Sequence, residues 1–275
     1  MTAGIFEDLQ LALDLADMAH VLASDRFRAS DLTITTKPDR TPVTDADQAI
    51  EQALRAALRD ARRDDGVLGE EYGGEPLPGR QWIIDPIDGT TNFLRGLPIW
   101  ATLIALAVDG EPVLGVVAAP ALRRRWWAAR GNGAWTATVT ERGTGAPARI
   151  SVSQVAELPD ALLSYNSLQG WDDAGALDGL LALARSCWRT RGLGDFWSYV
   201  LVAEGQVDVA GEPDLKVWDM AALVPIITEA GGRFTSLDGR PGPWHGTALA
   251  TNGLLHEAAL EKIGLRTSHP DAAAR

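Results

Sequence analysis

Cys187 is the one cysteine among 275 residues, so no intrachain disulfide can form, which agrees with a reducing, cytoplasmic setting. No Gly-Lys pair occurs anywhere, which removes the usual nucleotide P-loop. Gly-x-Gly-x-x-Gly and Gly-x-Ser-x-Gly are also missing, and with them the standard dinucleotide and nucleophile-elbow signals. His20, His245, His256 and His269 are scattered and form no His-Glu-x-x-His, so a zinc centre would have to be assembled by tertiary folding. No apolar run approaches a membrane span, and no signal peptide is visible. Basic residues are outnumbered 25 to 37, a formal charge of −12. Such a surface repels phosphate backbones, which argues against general nucleic-acid binding. Any anionic substrate would need metal ions or backbone dipoles. The chemistry is expected to run on carboxylates.

Hydrophobic residues make up 46% and charged residues 23%, the balance of a globular protein with a sizeable core. Ile5, Leu9, Ala12, Ala16 and Ala19 mark an amphipathic helix over 5–27. Thr44 or Asp45 caps a second helix, with Ile50, Leu54, Ala57 and Leu58 as its buried stripe. Residues 81–84 read as a buried strand stopped by Asp85-Pro86, and Asp109-Gly110 joins two further strands. The stretch 141–148, rich in Gly, Pro and Thr, marks a lobe boundary. Beyond it strands and helices alternate, including one helix over 219–229 that Pro225 should kink. The expected organisation is an α+β lobe over 1–145 with most of the site's ligands, and an α/β lobe over 146–265 completing it. A polar, small-residue tail over 266–275 is expected to be disordered.

Acidic residues stand in unusual settings at Asp45 and Asp47, Glu70-Glu71, Asp85-Pro86-Ile87-Asp88-Gly89-Thr90, and Trp218-Asp219. Two carboxylates three residues apart, at the carboxyl end of a buried strand, repel each other unless a proton or a cation intervenes. An oxygen-only ligand set suits a hard ion, magnesium first. Gly89 and Thr90 add backbone N–H groups at a helix start, a cradle for phosphate. Each feature has a plainer reading when taken alone. Asp88 reads as a helix cap, Glu70-Glu71 as a solvated loop, Asp219 as an N-cap beside a packed indole, and Asp47 as the completion of its first turn. The pair at the end of an apolar strand is the hardest to read that way.

Gly69-Glu70-Glu71, the block from Trp82 through Asp85-Pro86-Ile87-Asp88-Gly89-Thr90 to Phe93, and Trp218-Asp219 with Glu229-Ala230-Gly231-Gly232 together resemble the inositol monophosphatase family. The resemblance spans nearly the whole chain, with the motifs in the family's order. It implies an αβαβα layered sandwich of the inositol monophosphatase/fructose-bisphosphatase type, and a magnesium-dependent phosphomonoesterase. Glu70, Asp85 and the Ile87 carbonyl are implied to hold one metal, and Asp85, Asp88 and Asp219 a second. Glu70 is implied to share a third ion, giving two to three Mg2+ per site. The attacking water is implied to be activated by the first metal, oriented by Thr90 with Asp47 behind it. A homodimer is the family's usual state. The dehalogenase signature Asp-x-Asp-Gly-Thr is set aside, because two residues rather than one separate Asp85 from Asp88.

The resemblance also assigns substrate contacts. Glu212, six residues before Trp218, and the segment from Arg191 to Phe196 face the leaving group, with Asp219 nearby. Asp195 stands where many inositol phosphatases carry a small residue, and a second carboxylate suits a cationic leaving group. That segment, with Thr44 to Asp47 and Arg125 to Arg130, is similar to the branch that hydrolyses histidinol phosphate in histidine synthesis. The alternatives are an inositol or broader sugar-phosphate phosphatase, and a non-catalytic metal- or phosphate-binding protein. Asp195 also has a plainer reading, as a partner of Arg191 or a cap for the following helix.

Overall fold

Ala12, Ala16, Ala19 and Ala23 are buried and spaced three or four apart, with buried Leu15 on the same side, which lays helix α1 (Ala3–Arg26) against a sheet. The computed structural model describes residues 3–36, 42–140 and 143–265. Residues 37–41 of the proline-bracketed loop, 141 and 142 of the lobe boundary, and the tail from Arg266 lie outside the described residues. Strands β1 (Ile34–Thr36) and β2 (Pro42–Thr44) pair antiparallel and lead into α2 (Asp45–Ala61). Thr44 is the N-cap, and Ile50, Leu54 and Leu58 bury α2 beside α1.

The first sheet takes β3 (Gly66–Gly69), β4 (Arg80–Asp88), β5 (Ala101–Val108), β6 (Glu111–Ala119), β7 (Arg124–Ala129), β8 (Ala134–Thr140), β9 (Gly143–Thr144) and β10 (Ala148–Ile150). Its order is β10-β8-β7-β6-β5-β4-β3, with β9 beside β8; only β3 and β4 run parallel. The short helix α3 (Thr90–Leu94) follows β4 directly. The lobe boundary expected after residue 145 falls just before β10, which still pairs with β8.

The second half contributes β11 (Leu162–Tyr165), α4 (Leu168–Asp173), α5 (Leu177–Ser186), β12 (Arg189–Arg191) and α6 (Asp195–Ala203). It continues with β13 (Val209–Glu212), α7 (Val217–Ala221), α8 (Leu223–Glu229), β14 (Arg233–Thr235), β15 (Ala248–Thr251) and α9 (His256–Ile263). The five strands are ordered β12-β11-β13-β15-β14.

Strand alternation divides the core into three. Trp82, Ile84, Ile104 and Val116 face α1 and α2. Ile83, Leu103 and Val117, on the opposite face, pack with Phe196, Met220 and Ile226 and with Ala210 and Ala250 of the second sheet. Leu163, Val209 and Leu249 then face α5 and α9. The layers are therefore α, β, α, β, α, with α6, α7 and α8 in the middle. Among the described residues no helix is long and apolar enough to cross a membrane.

Two local expectations change. Strand β4 does not stop at Asp85-Pro86; it continues to Asp88 through a bulge, with Asp85 opposite Leu103 and Asp88 opposite Ala101. Pro86 is tolerated there because β3 has already ended, leaving no partner for the missing N–H on that side. The single helix expected over 219–229 is two, α7 and α8, meeting at Ala222. Pro225 has no N–H to offer the carbonyl four residues back, Ala221, which is where α7 ends.

Candidate active site

The bulge in β4 sets the site. Asp85 shares a strand face with Ile83 and so points into the middle layer, while Ile87 beyond the bulge is buried toward α1 and α2. Asp219, at the third position of α7, is brought up to the same point, its Oδ2 accepting from the Lys216 N–H at 2.7 Å. One carboxylate oxygen from each of Asp85, Asp88 and Asp219 lies within 4.8 Å of the others. A cavity of about 210 Å³ opens over them. Glu70, Ile87, Gly89, Thr90, Asp195 and Glu212 join them in its wall. No lysine, arginine or histidine lines it among the described residues. His256 is buried between the Thr235 and Thr251 hydroxyls, and no histidine among the described residues is in this wall.

Burial and mutual repulsion raise the carboxyl pKa values of Asp85, Asp88, Asp195, Glu212 and Asp219. Asp85 is held well above the ordinary carboxylate range by burial, then by Glu70, Asp88 and Asp219. Asp88 is raised by burial, then by Asp195 and Asp219. Burial pushes Asp219 to about 7 and Asp195 to about 6. Glu212 is pushed to about 8 by burial, with Asp195 adding repulsion. Asp85 Oδ1 is buried with no hydrogen-bond partner among the described residues. An orphaned carboxylate oxygen inside a cluster of anions fits a hard divalent cation, with Asp85, Asp88, Asp219, Glu70 and the Ile87 carbonyl as available donors.

Thr90 opens α3 behind Gly89, whose φ is +82° and whose added Cβ would stand 2.9 Å from the Ile99 carbonyl, so only glycine fits the turn. Thr90 Oγ1 donates to the Ile87 carbonyl at 3.0 Å and stands 3.4 Å from Asp47 Oδ1. Asp47 Oδ2 accepts from the Thr44 N–H at 2.8 Å and the Thr44 hydroxyl at 2.5 Å. Asp47 therefore both closes the capping box of α2 and reaches Thr90. Its pKa is pushed to about 6, mainly by burial.

Several participants escaped the sequence reading. Glu51, buried on α2 one turn after Asp47, accepts from the Glu71 N–H at 2.7 Å and the Tyr72 N–H at 3.2 Å, while Arg55 Nε pairs with it at 2.7 Å. It thereby holds the loop that carries Glu70. Gly69 allows the approach, because a Cβ there would lie 2.1 Å from Glu51 Oε1. Asn166 donates to Glu212 Oε2 at 2.8 Å, and Tyr199 and Asp214 also line the cavity. A spacing of four from Asp47 was the available signal for Glu51. Asn166 and Tyr199 had none. Arg191, expected among the substrate contacts, is not brought in: it is exposed, its Nη1 donates to the Thr190 carbonyl, and it is absent from the cavity wall.

The inositol monophosphatase family model matches residues 7–268. The chain belongs to the inositol monophosphatase family. Enzymes of this family bind Mg2+, in keeping with the acidic cluster. The chain is 57% identical to a histidinol-phosphatase of Mycobacterium tuberculosis over 94% of this chain and 98% of that one. It is 34% identical to an inositol-1-monophosphatase of Rhizobium meliloti, over 88% and 90%. Among solved structures, an inositol monophosphatase from Zymomonas mobilis superposes with a TM-score of 0.83 at 35% identity, covering 96% of this chain and all of that one (100%).

Proposed function

We propose that the chain hydrolyses L-histidinol phosphate to L-histidinol and phosphate, a step of histidine synthesis. The observation that carries this reading is a second carboxylate pair, Asp195 and Glu212, in the wall of the cavity that holds the Asp85, Asp88 and Asp219 cluster. A phosphate at the cluster leaves its alcohol portion facing two anions, a poor place for a neutral polyol and a good one for an ammonium group. The 57% identity to a histidinol-phosphatase supports the same substrate.

Magnesium, when bound, neutralises the phosphate and acidifies a water for attack. The donors are Asp85, Asp88, Asp219, Glu70 and the Ile87 carbonyl, two to three ions being the expected complement. Gly89 and Thr90 border the phosphate, their N–H groups available to its oxygens. Thr90 Oγ1 orients the attacking water, and Asp47, 3.4 Å from that hydroxyl, takes the proton through it. No side chain is required to carry the phosphoryl group. Asp195 and Glu212 meet the leaving group, and Asn166 fixes the Glu212 carboxylate.

A panel of phosphomonoesters compared by kcat/KM, with and without Mg2+, tests the reading. Histidinol phosphate should lead and EDTA should abolish turnover. Strong preference for inositol phosphate would instead favour the polyol phosphatase, and no turnover of any ester would leave a binding protein. A homodimer in the cytoplasm belongs to the same reading, and sedimentation equilibrium tests the dimer.

A further inference from the structure

Beyond the proposed metal ligands, the cavity wall carries three carboxylates, Asp195, Glu212 and Asp214, and no lysine, arginine or histidine among the described residues. Lys216, outside that wall, pairs with Asp214 at 3.4 Å. The amide donors close by are committed to carboxylates as well, Asn92 to Asp195 at 2.7 Å and Asn166 to Glu212 at 2.8 Å. The Tyr199 hydroxyl also turns to Glu212. A second anion on the substrate, besides its phosphate, would therefore meet acceptors with no donor left to receive it. Asp195 stands close to the phosphate position. A Cβ on Gly89, whose N–H borders the phosphate, would lie 3.4 Å from Asp195 Oδ2. That closeness suits an amine on the carbon next to the ester carbon.

We infer that the site hydrolyses monophosphates of vicinal amino alcohols as a class, phosphoethanolamine being the simplest, and rejects esters that carry a carboxylate beside the amine, such as O-phospho-L-serine. The inference rests on the histidinol phosphate reading, which places the phosphate at the acidic cluster and the ammonium group at Asp195. It adds to that reading a further activity and a boundary. An ammonium group has donors and no acceptor, so a wall of acceptors receives it whether or not a ring follows. A carboxylate on the same carbon is turned toward Asp195 and Glu212, and like charges brought together in a binding site exclude the ligand that carries them. The chemistry is unchanged: a water oxygen bonds to phosphorus, the ester P–O bond breaks, and the departing oxygen takes up a proton as the free amino alcohol.

The test compares three esters that differ chiefly in charge, with Mg2+ present. The kcat/KM for phosphoethanolamine should exceed that for ethylene glycol monophosphate about ten- to a hundredfold, the scale of one hydrogen bond to a charged group. O-Phospho-L-serine should fall about a hundredfold or more below phosphoethanolamine. Calorimetry of the corresponding phosphonates, with a methylene in place of the ester oxygen, should give the same order without turnover. Asp195→Asn should narrow the gap between phosphoethanolamine and phosphoserine about tenfold. Phosphoserine turned over as fast as phosphoethanolamine, or a gap unchanged in Asp195→Asn, would overturn the inference. Turnover of histidinol phosphate with none of phosphoethanolamine would overturn it too, making the ring indispensable while leaving the histidinol phosphate reading intact. Wild-type preference for inositol phosphate would overturn both readings together.

Discussion

Asn92 Nδ2 donates to Asp195 Oδ2 at 2.7 Å, joining two residues 103 apart in the chain. The bond ties α3, whose first turn borders the phosphate position, to the carboxylate assigned to the leaving group. Asp195 has a φ of +49°, a conformation that aspartate tolerates better than most residues. The next N–H, of Phe196, donates to Asp88 Oδ2 at 2.7 Å. The carboxylate proposed to meet the leaving group and the proposed metal ligand Asp88 are thus braced against each other, and Asp195 is held by Asn92 rather than Arg191.

Asp195→Asn keeps the shape and removes one anion. Its effect on histidinol phosphate should be a loss on the order of 1.5–3 kcal/mol in kcat/KM, the scale of one hydrogen bond to a charged group. Inositol phosphate should lose little or gain. Equal losses on both esters would assign Asp195 to structure alone.

Asp88→Asn should remove most activity at every Mg2+ concentration, because ligand charge is lost while Asn can still accept from the Phe196 N–H. In metal-free buffer the same variant should have a higher Tm than wild type, since one of the repelling carboxylates is gone. A lower metal-free Tm would mean that Asp88 serves chiefly as a cap for α6.

Stability of the metal-free protein should fall as pH rises from about 5 to 8. The folded-state pKa values of Asp47, Asp195, Asp219 and Glu212 are raised to about 6, 6, 7 and 8. A carboxyl held above its unfolded pKa carries stability that is complete below the unfolded value and disappears as pH passes the folded one. Magnesium competes with these protons, so its Tm increment should grow with pH. Calorimetric scans across that range, with and without Mg2+, check both slopes; a metal-free Tm that climbs toward pH 8 contradicts the account.

Glu51→Gln should raise the Mg2+ concentration giving half-maximal activity about tenfold, because the loop carrying Glu70 loses the anion that gathers it. Gly69→Ala should act alike, since its Cβ would strike Glu51 Oε1. Titration of the Mg2+-induced Tm shift gives a readout independent of turnover. Normal Mg2+ dependence in both variants would confine Glu51 to core packing.

Thr90→Ala should lower kcat more than it raises KM, since orienting a water matters chiefly in the transition state. Steady-state kinetics at saturating Mg2+ decide it. A pure KM effect would place Thr90 in ground-state phosphate binding.

The local signals in the chain were sufficient for what a short segment decides. Asp85, Asp88, Gly89 and Thr90 sit within six consecutive residues, so their chemistry was legible wherever that strand end came to lie. Thr44 as a cap, the apolar stripe of α2 and the Asp109-Gly110 hairpin, both of whose residues have positive φ, are likewise products of nearest neighbours. Tertiary structure decided what sits opposite. The bulge in β4 depends on where β3 ends. The pairings of Asn92 with Asp195, Asn166 with Glu212, and Glu51 with the loop beyond Gly69 join distant segments. So does the exclusion of Arg191, left exposed at the end of an edge strand. A motif specifies its own backbone and donors, but which side chains from elsewhere face it is set when two sheets pack on a shared helical layer, and that packing is a property of the whole core.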